Sequence, residues 1–462
     1  MNIANTIERV FKKYLPSPFT IAILLTFVSF VLAFLFTNKN ELSSFYHALN
    51  LMQYWEQGLW NSSLLVFAFQ MMLMLVLGHT LALSKPINKV ISYMTNYCTN
   101  TATSAFWVCL LTLLVSYFNW GLGLIFGAIF ARKVAENAKE NNWKIHYPII
   151  GASAYSGLMV WHGGISGSAP IKAAENGHLE SLMVGVYNSD RLALLPQQIG
   201  FSDTVFSTMN ICISLVILIV LPTFMYYLGN STNPKGYTLS DSKIQLDKPT
   251  IEGAEKLDTS KVLATTFGGI VLIYAFYKAV ILPEELNLNF ISPNFINLTL
   301  LGLAIIMHTN FRDFLNALDK AIGGSSGILI QFPLYFGIMG LMKHSGMIIQ
   351  LSEFFVSIST DTTFPLFTFL SAGLVNIFVP SGGGQWAIQG PIIIEASQQL
   401  GLSLPKNIMA LAYGDQLTNM LQPFWALPLL GITGLKAKEI LPYTLLLMGI
   451  GAIIFIGGLL IF

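Results

Sequence analysis

Polar residues that interrupt the apolar runs of this chain fall in four places. The first is Asn119-Trp120-Gly121. The second is Trp161-His162-Gly163-Gly164-Ile165-Ser166-Gly167-Ser168, where His162 is, apart from Lys172, the one histidine or charged side chain in 148–172. The third runs from Asn376 to Trp386 and contains Pro380-Ser381-Gly382-Gly383-Gly384-Gln385-Trp386. The fourth is Tyr413-Gly414-Asp415-Gln416-Leu417-Thr418-Asn419, with Asp415 the single acid in 408–430.

Together these types suit a small anion held beside a cation. Pro380 and three successive glycines break a helix, and Ser381 to Gly384 can aim backbone N–H groups inward, backed by the positive end of a helical arm starting at Gln385. The turn at Asn119 offers the same from its own helix. His162 can donate to a carboxylate or take up a proton, as ionisable residues inside membranes do. Asp415, among the amide and hydroxyl oxygens that follow it, suits Na+ or a relayed proton. Close packing by glycine and helix capping by aspartate are the structural alternatives. The candidate substrate-binding residues are Asn119, Trp120, Gly121, His162, Gly163, Gly164, Ser166, Ser168, Ser381, Gly382, Gly383, Gly384, Gln385, Trp386, Thr418 and Asn419. The coupling-ion candidates are Asp415, Asn119, Asn376 and Ser381, which would hold Na+ if the ion is a metal.

No lysine or arginine falls at either turn or in either break. Helix ends and one histidine balance about a single negative charge, so a monocarboxylate fits better than a di- or tricarboxylate. An anion entering a cell that is negative inside works against about 2.3 kcal/mol per 100 mV, so its accumulation requires a co-transported cation, Na+ or H+.

The elements that must carry these residues are membrane helices. Of 462 residues, 54% are apolar and 10% charged, against about 25% charged in soluble domains, and the mean hydropathy is +0.63. A net charge of +1 without a basic cluster speaks against nucleic acid. Cys98, Cys109 and Cys212 lack C-x-x-C spacing, so neither zinc nor disulfides are implied, and no organic cofactor is expected. Arg9, Lys12 and Lys13 precede an apolar run that lacks a small-residue cleavage pattern, which reads as an uncleaved first span.

Spans are expected at 19–36, 62–83, 205–228, 262–281, 295–308, 325–342 and 441–462, with an interfacial helix at 40–60. Between them lie two re-entrant hairpins, 105–131 and 364–396, whose arms are too short to cross about 30 Å of hydrocarbon, and two broken helices, 148–171 and 408–430. Pro148 and Pro405, Asn119 and Asn376, Tyr155 and Tyr413, and Pro170 and Pro428 are separated by the same interval to within one residue. The expected organisation is therefore a first repeat at 1–229, a cytoplasmic linker at 230–260, and a linking span with the second repeat at 261–462. Five crossings separate the two first spans, so the repeats are inverted. With the amino terminus inside, every lysine and arginine except Lys39, Lys172, Arg191, Lys278, Lys343 and Lys406 falls on the cytoplasmic side, as the positive-inside rule requires. The fold class is all-α, a polytopic membrane protein of inverted repeats whose hairpins meet near the midplane.

Residues 161–170, the run Pro380-Ser381-Gly382-Gly383-Gly384-Gln385-Trp386 through Pro391, and Gly414-Asp415-Gln416 with Gln422-Pro423 resemble the short-chain fatty acid transporter family of bacteria over nearly the whole chain. That resemblance implies an inner-membrane carrier of acetoacetate, butyrate or similar anions. It also implies membership of the ion transporter superfamily, with elevator-type motion in a homodimer. The superfamily's Ser-Asn-Thr hairpin signature is absent at both turns, so Na+ and H+ both stay open. A dicarboxylate carrier or cation/proton antiporter on the same scaffold is the alternative. A membrane hydrolase using His162 and Ser166 is a further one, although Ser166 has no G-x-S-x-G setting.

Overall fold

Long apolar runs in this chain begin on residues that can cap them. A helix end in lipid has no water for its first N–H groups, so a side chain must accept one. Ser17, Asn61, Asn100, Ser207, Ser260 and Ser292 each do so. In the computed structural model the described residues are 16–37, 43–184, 187–234, 236, 237, 239, 253–282 and 292–462. The basic stretch before the first span and residues 235, 238 and 240–252 of the expected linker lie outside them.

The first half contains α1 (Pro18–Phe36), α2 (Ser44–Leu59), α3 (Ser62–Leu83), α4 (Lys85–Thr95), α5 (Thr101–Phe118), α6 (Trp120–Glu140) and α7 (Tyr147–Tyr155). After a 3-10 turn and an irregular stretch come three short helices, α8 (Ser168–Ala174), α9 (His178–Met183) and α10 (Ser189–Leu192), and then α11 (Thr208–Asn230). The second half contains α12 (Lys261–Phe276), α13 (Pro293–His308), α14 (Phe311–Ala321), α15 (Ser326–His344), α16 (Met347–Ser357), α17 (Phe364–Phe378), α18 (Gly382–Gln399), α19 (Leu404–Thr418), α20 (Pro423–Thr433) and α21 (Ala437–Ile461). The only extended pairing among the described residues is an isolated bridge between Val184 and Tyr187.

Among the described residues, seven helical stretches are long and apolar enough to cross a membrane: α1, α3, α5, α11, α12 with its π-turn extension, α14 joined to α15, and α21. Their outward faces are apolar, with Phe27 65% and Ile273 70% exposed, as lipid-facing surfaces require. The chain is an all-helical, multi-pass membrane protein.

Four details depart from the sequence expectation. The helix read as interfacial packs one face on α15, where Gly58 lies against the backbone of Phe336, Gly337 and Gly340. The helices expected as arms of the first hairpin, α5 and α6, are longer than the apolar runs 105–118 and 122–131, because Asn100 and Thr103 form a capping box ahead of α5 and an amphipathic tail extends α6 to Glu140. At 18 residues, α5 alone reaches about 27 Å. The second break falls at 419–422, not within 413–419; Pro423 forces Gln422 into an extended conformation, whereas one glycine is too few to interrupt 413–418. Gly382 to Gly384 form the first turn of α18, because Ser381 caps it and a first turn tolerates glycine.

The centre of the fold is α7 and α19, both buried over most of their length. Gly414 lets α19 touch α17: an added Cβ would land on the Phe369 carbonyl oxygen and 2.9 Å from the Gly373 amide. Gly414→Ala is expected to cost about 1–3 kcal/mol through overpacking, read as a fall in the thermal transition of the detergent-purified protein. Gly449→Ala on α21, where a Cβ meets nothing within 4 Å, is expected to leave the transition in place.

Candidate functional site

The irregular stretch 160–167 turns His162 back into the interior, where it is fully buried and stacked on Trp161 with ring centroids 4.5 Å apart. Its Nε2 accepts the Ala169 N–H at 3.0 Å. That nitrogen therefore carries no proton, and the neutral ring keeps its proton on Nδ1. Nδ1 lies against Oδ2 of Asp415, which is 1% exposed. The contact is off the line of a hydrogen bond, and neither Asp415 oxygen accepts one from any described residue. A buried carboxylate in this state is under-compensated. Gly382 sits over the pair, since a Cβ there would come 2.7 Å from Trp161, 2.8 Å from His162 Cε1 and 3.0 Å from Asp415 Oδ2.

The two breaks are held by side chains from the opposite half of the chain. Gln416 Oε1, on α19, accepts the N–H groups of His162 at 2.9 Å and Gly163 at 3.0 Å. Tyr155, at the end of α7, donates to the carbonyls of Asn419 and Gln422, each at 2.9 Å. Tyr413 reaches the first break through one intermediary: its hydroxyl donates to Asn210 Oδ1 at 2.9 Å, and Asn210 Nδ2 donates to Gly163 O at 2.8 Å. Beside the second break, Asn376 Nδ2 faces Asp415 O, Thr418 Oγ1 and Asn419 Oδ1 at 2.7–2.9 Å, and Gln422 Nε2 donates to Asn376 O. Asn376 Oδ1 and Gln422 Oε1 are left without a donor among the described residues.

A cavity of about 570 Å³ opens next to this cluster. Asn119, Trp120, Gly121, Ser166, Ser168 and Gly383 line it, and so do Lys172 and Glu175. Asn119 is extended and caps α6 through the Leu122 N–H at 2.9 Å. The Trp120 N–H donates to Ser166 Oγ at 3.0 Å and the Ile165 N–H to Tyr117 O at 2.9 Å, which docks the first break on the first turn. Gly164 packs against the same Tyr117 carbonyl. His162 and Ser166, the couple a hydrolase would use, share no hydrogen bond among the described residues.

Other predicted residues point elsewhere. Ser381 caps Gly384 N–H at 3.2 Å, and both residues line a second cavity of about 280 Å³ with Lys343 and His344. The Gln385 side chain braces α17 and α18 through Ala372 O at 2.8 Å and Gln389 Oε1 at 2.7 Å. Trp386 is buried and donates its indole N–H to His178 Nε2 at 3.1 Å. Burial, reinforced by Lys172, holds His178 below the ordinary imidazole range, which keeps that acceptor free. Thr418 and Asn419 belong to the Asn376 cluster, away from the large cavity. The sequence reading missed Gln416, Asn210 and the pair Lys172–Glu175. Asn210 carried a signal, as an amide inside the apolar run 205–228, and Gln416 carried one as the neighbour of Asp415.

The family described as "Short chain fatty acid transporter" matches residues 1–462. A relative from Escherichia coli (strain K12) is 34% identical over all of this chain and 99% of its own length. One from Haemophilus influenzae is 38% identical over 97% of this chain and 96% of its own. Both bear the name "Putative short-chain fatty acid transporter". Among solved structures, the Neisseria gonorrhoeae MtrF, described with a class of antimetabolite efflux pumps, aligns with a TM-score of 0.47 at 13% identity, covering 98% of this chain and 97% of its own.

The wiring of the second break makes a direct prediction. Tyr155→Phe removes the hydroxyl that satisfies the Gln422 carbonyl and is expected to cost about 1–3 kcal/mol, seen as a lowered thermal transition in detergent. Tyr46→Phe, at a position 63% exposed, is expected to match the wild type.

Proposed function

The chain belongs to the short-chain fatty acid transporter family, and on that premise we propose a secondary active carrier of short monocarboxylates such as acetoacetate and butyrate, driven by co-transport of H+ or Na+. The observation that carries the coupling is the Asp415 carboxylate, buried against a single imidazole with neither oxygen accepting a hydrogen bond. A substrate carboxylate entering the neighbouring cavity adds a second negative charge. The lysine lining that cavity is already paired with Glu175. Both charges are tolerated together only if a cation or proton enters with the anion. Asn376 Oδ1 and Gln422 Oε1 are further oxygens without a donor near Asp415. Asn119 and Ser381 serve as caps of the turns, Asn119 on the cavity that would take the substrate.

We assign the halves 1–229 and 261–462 to inverted repeats joined by the linker 230–260, with re-entrant hairpins at 105–131 and 364–396. The exchange of tyrosines supports this, because Tyr155 and Tyr413, at matched positions, each serve the other half's break. Pro148 and Pro405 also match, each opening its helix in the first turn. Arm length supports a hairpin best at α17, whose 15 residues reach about 22 Å. The distribution of lysine and arginine supports a cytoplasmic amino terminus in a bacterial inner membrane. Elevator-type movement and a homodimer are carried over from the superfamily resemblance.

Uptake of labelled butyrate or acetoacetate into proteoliposomes, with a sodium gradient and a pH gradient imposed separately and empty liposomes subtracted, tests the reading. One of the gradients is expected to drive saturable accumulation. Asp415→Asn is expected to lower that accumulation by about tenfold or more. Full gradient-driven uptake by the variant would remove Asp415 from the coupling role, and ion exchange without any organic anion would favour the antiporter.

A further inference from the structure

Resting on the carrier reading above, we propose that Lys172 is the carboxylate-binding residue of the 570 Å³ cavity and that Glu175 limits its occupant to one carboxylate. Lys172 and Glu175 are the only charged side chains lining that cavity among the described residues. Both sit in the last turn of α8 or just beyond it, and the Lys172 Nζ donates to both Glu175 oxygens, at 2.8 and 2.9 Å. The Glu175 group is thus a carboxylate already in place on the ammonium, the same functional group that a fatty acid anion would present.

The environment makes this occupant displaceable. The two side chains are 48% and 45% exposed, and ion pairs in such wet surroundings are worth only about a two- to fivefold bias. An ammonium offers three protons, and a substrate carboxylate can share or replace the pairing without leaving Lys172 bare. Ser166 lies on the same cavity; its Oγ accepts the Trp120 N–H and keeps its own proton to donate. Phe118, Ile165, Ile171 and Phe201 supply an apolar wall for a short alkyl chain. A dicarboxylate would bring a second anionic group to the same lining, where Glu175 repels it and no further cation waits.

Saturable butyrate uptake by proteoliposomes, with succinate as competitor, tests the assignment. Glu175→Gln is expected to lower the butyrate KM by about threefold at unchanged kcat, and to turn succinate from a non-competitor into a competitive inhibitor. Lys172→Gln is expected to raise the KM by about tenfold, Lys172→Arg to restore it, and Glu175→Gln to have no further effect in the Lys172→Gln background. A wild-type KM in Lys172→Gln, or succinate ignored by Glu175→Gln, would overturn the proposal while leaving the carrier reading intact. Wild-type proteoliposomes without saturable uptake would overturn the carrier reading and this assignment with it.

Discussion

Unwound backbone inside an apolar helical bundle must find new hydrogen-bond partners, and in this protein several of them are side chains from the other half of the chain. Gln416 takes two N–H groups of the first break, and Tyr155 serves two carbonyls of the second. A stray amide in such surroundings costs several kcal/mol. Each break therefore leans on a group from the other half, and the two breaks are held against each other.

The same wiring sets the electrostatics. With its backbone N–H on Gln416 and its Nε2 on Ala169, His162 has one free direction, and that direction is Asp415. Around the carboxylate the polar atoms are unbalanced. Among the described residues, Asp415 contributes two oxygens without donors, Asn376 and Gln422 one each, while Asn419 Nδ2 and His162 Nδ1 are nitrogens without an acceptor. Asn376 Nδ2 has three oxygen neighbours for two protons. A cluster with more unpaired acceptors than donors would favour a proton or cation, which is the physical basis of the coupling proposed above.

Most of the long helices and the first interruption were legible because hydropathy and Gly/Pro chemistry act locally. Pro148 and Pro405 open helices where the sequence places them, and Pro380 ends α17 as it must. What was not legible depends on distant partners. Nothing around Gln385 shows that its amide would turn to Ala372, or around Trp386 that His178 would take its indole N–H. The extra turns of α5 and α6 escaped because they are polar or amphipathic, so hydropathy alone cuts them off. The second break was misplaced because a cluster of polar side chains looks like an interruption, while the backbone answers to Pro423. His162 and Asp415 could be read as candidates one by one, but their contact could not.

The run of three glycines shows why one turn governs the site. Successive residues in a first helical turn face different directions, and here each direction has its own occupant. Gly382 lies over His162 and Asp415, Gly383 faces the large cavity, and Gly384 faces the smaller one with Lys343. Only at Gly382 would a side chain collide with groups that have little room to yield, since Trp161 and the buried His162–Asp415 contact surround it. The coupling proposed at Asp415 would therefore act on the seat of α18. Whatever fills the large cavity presses on the adjoining residue of the same turn. Under that proposal, charge at the pair and occupancy of the cavity would both bear on the same first turn of α18.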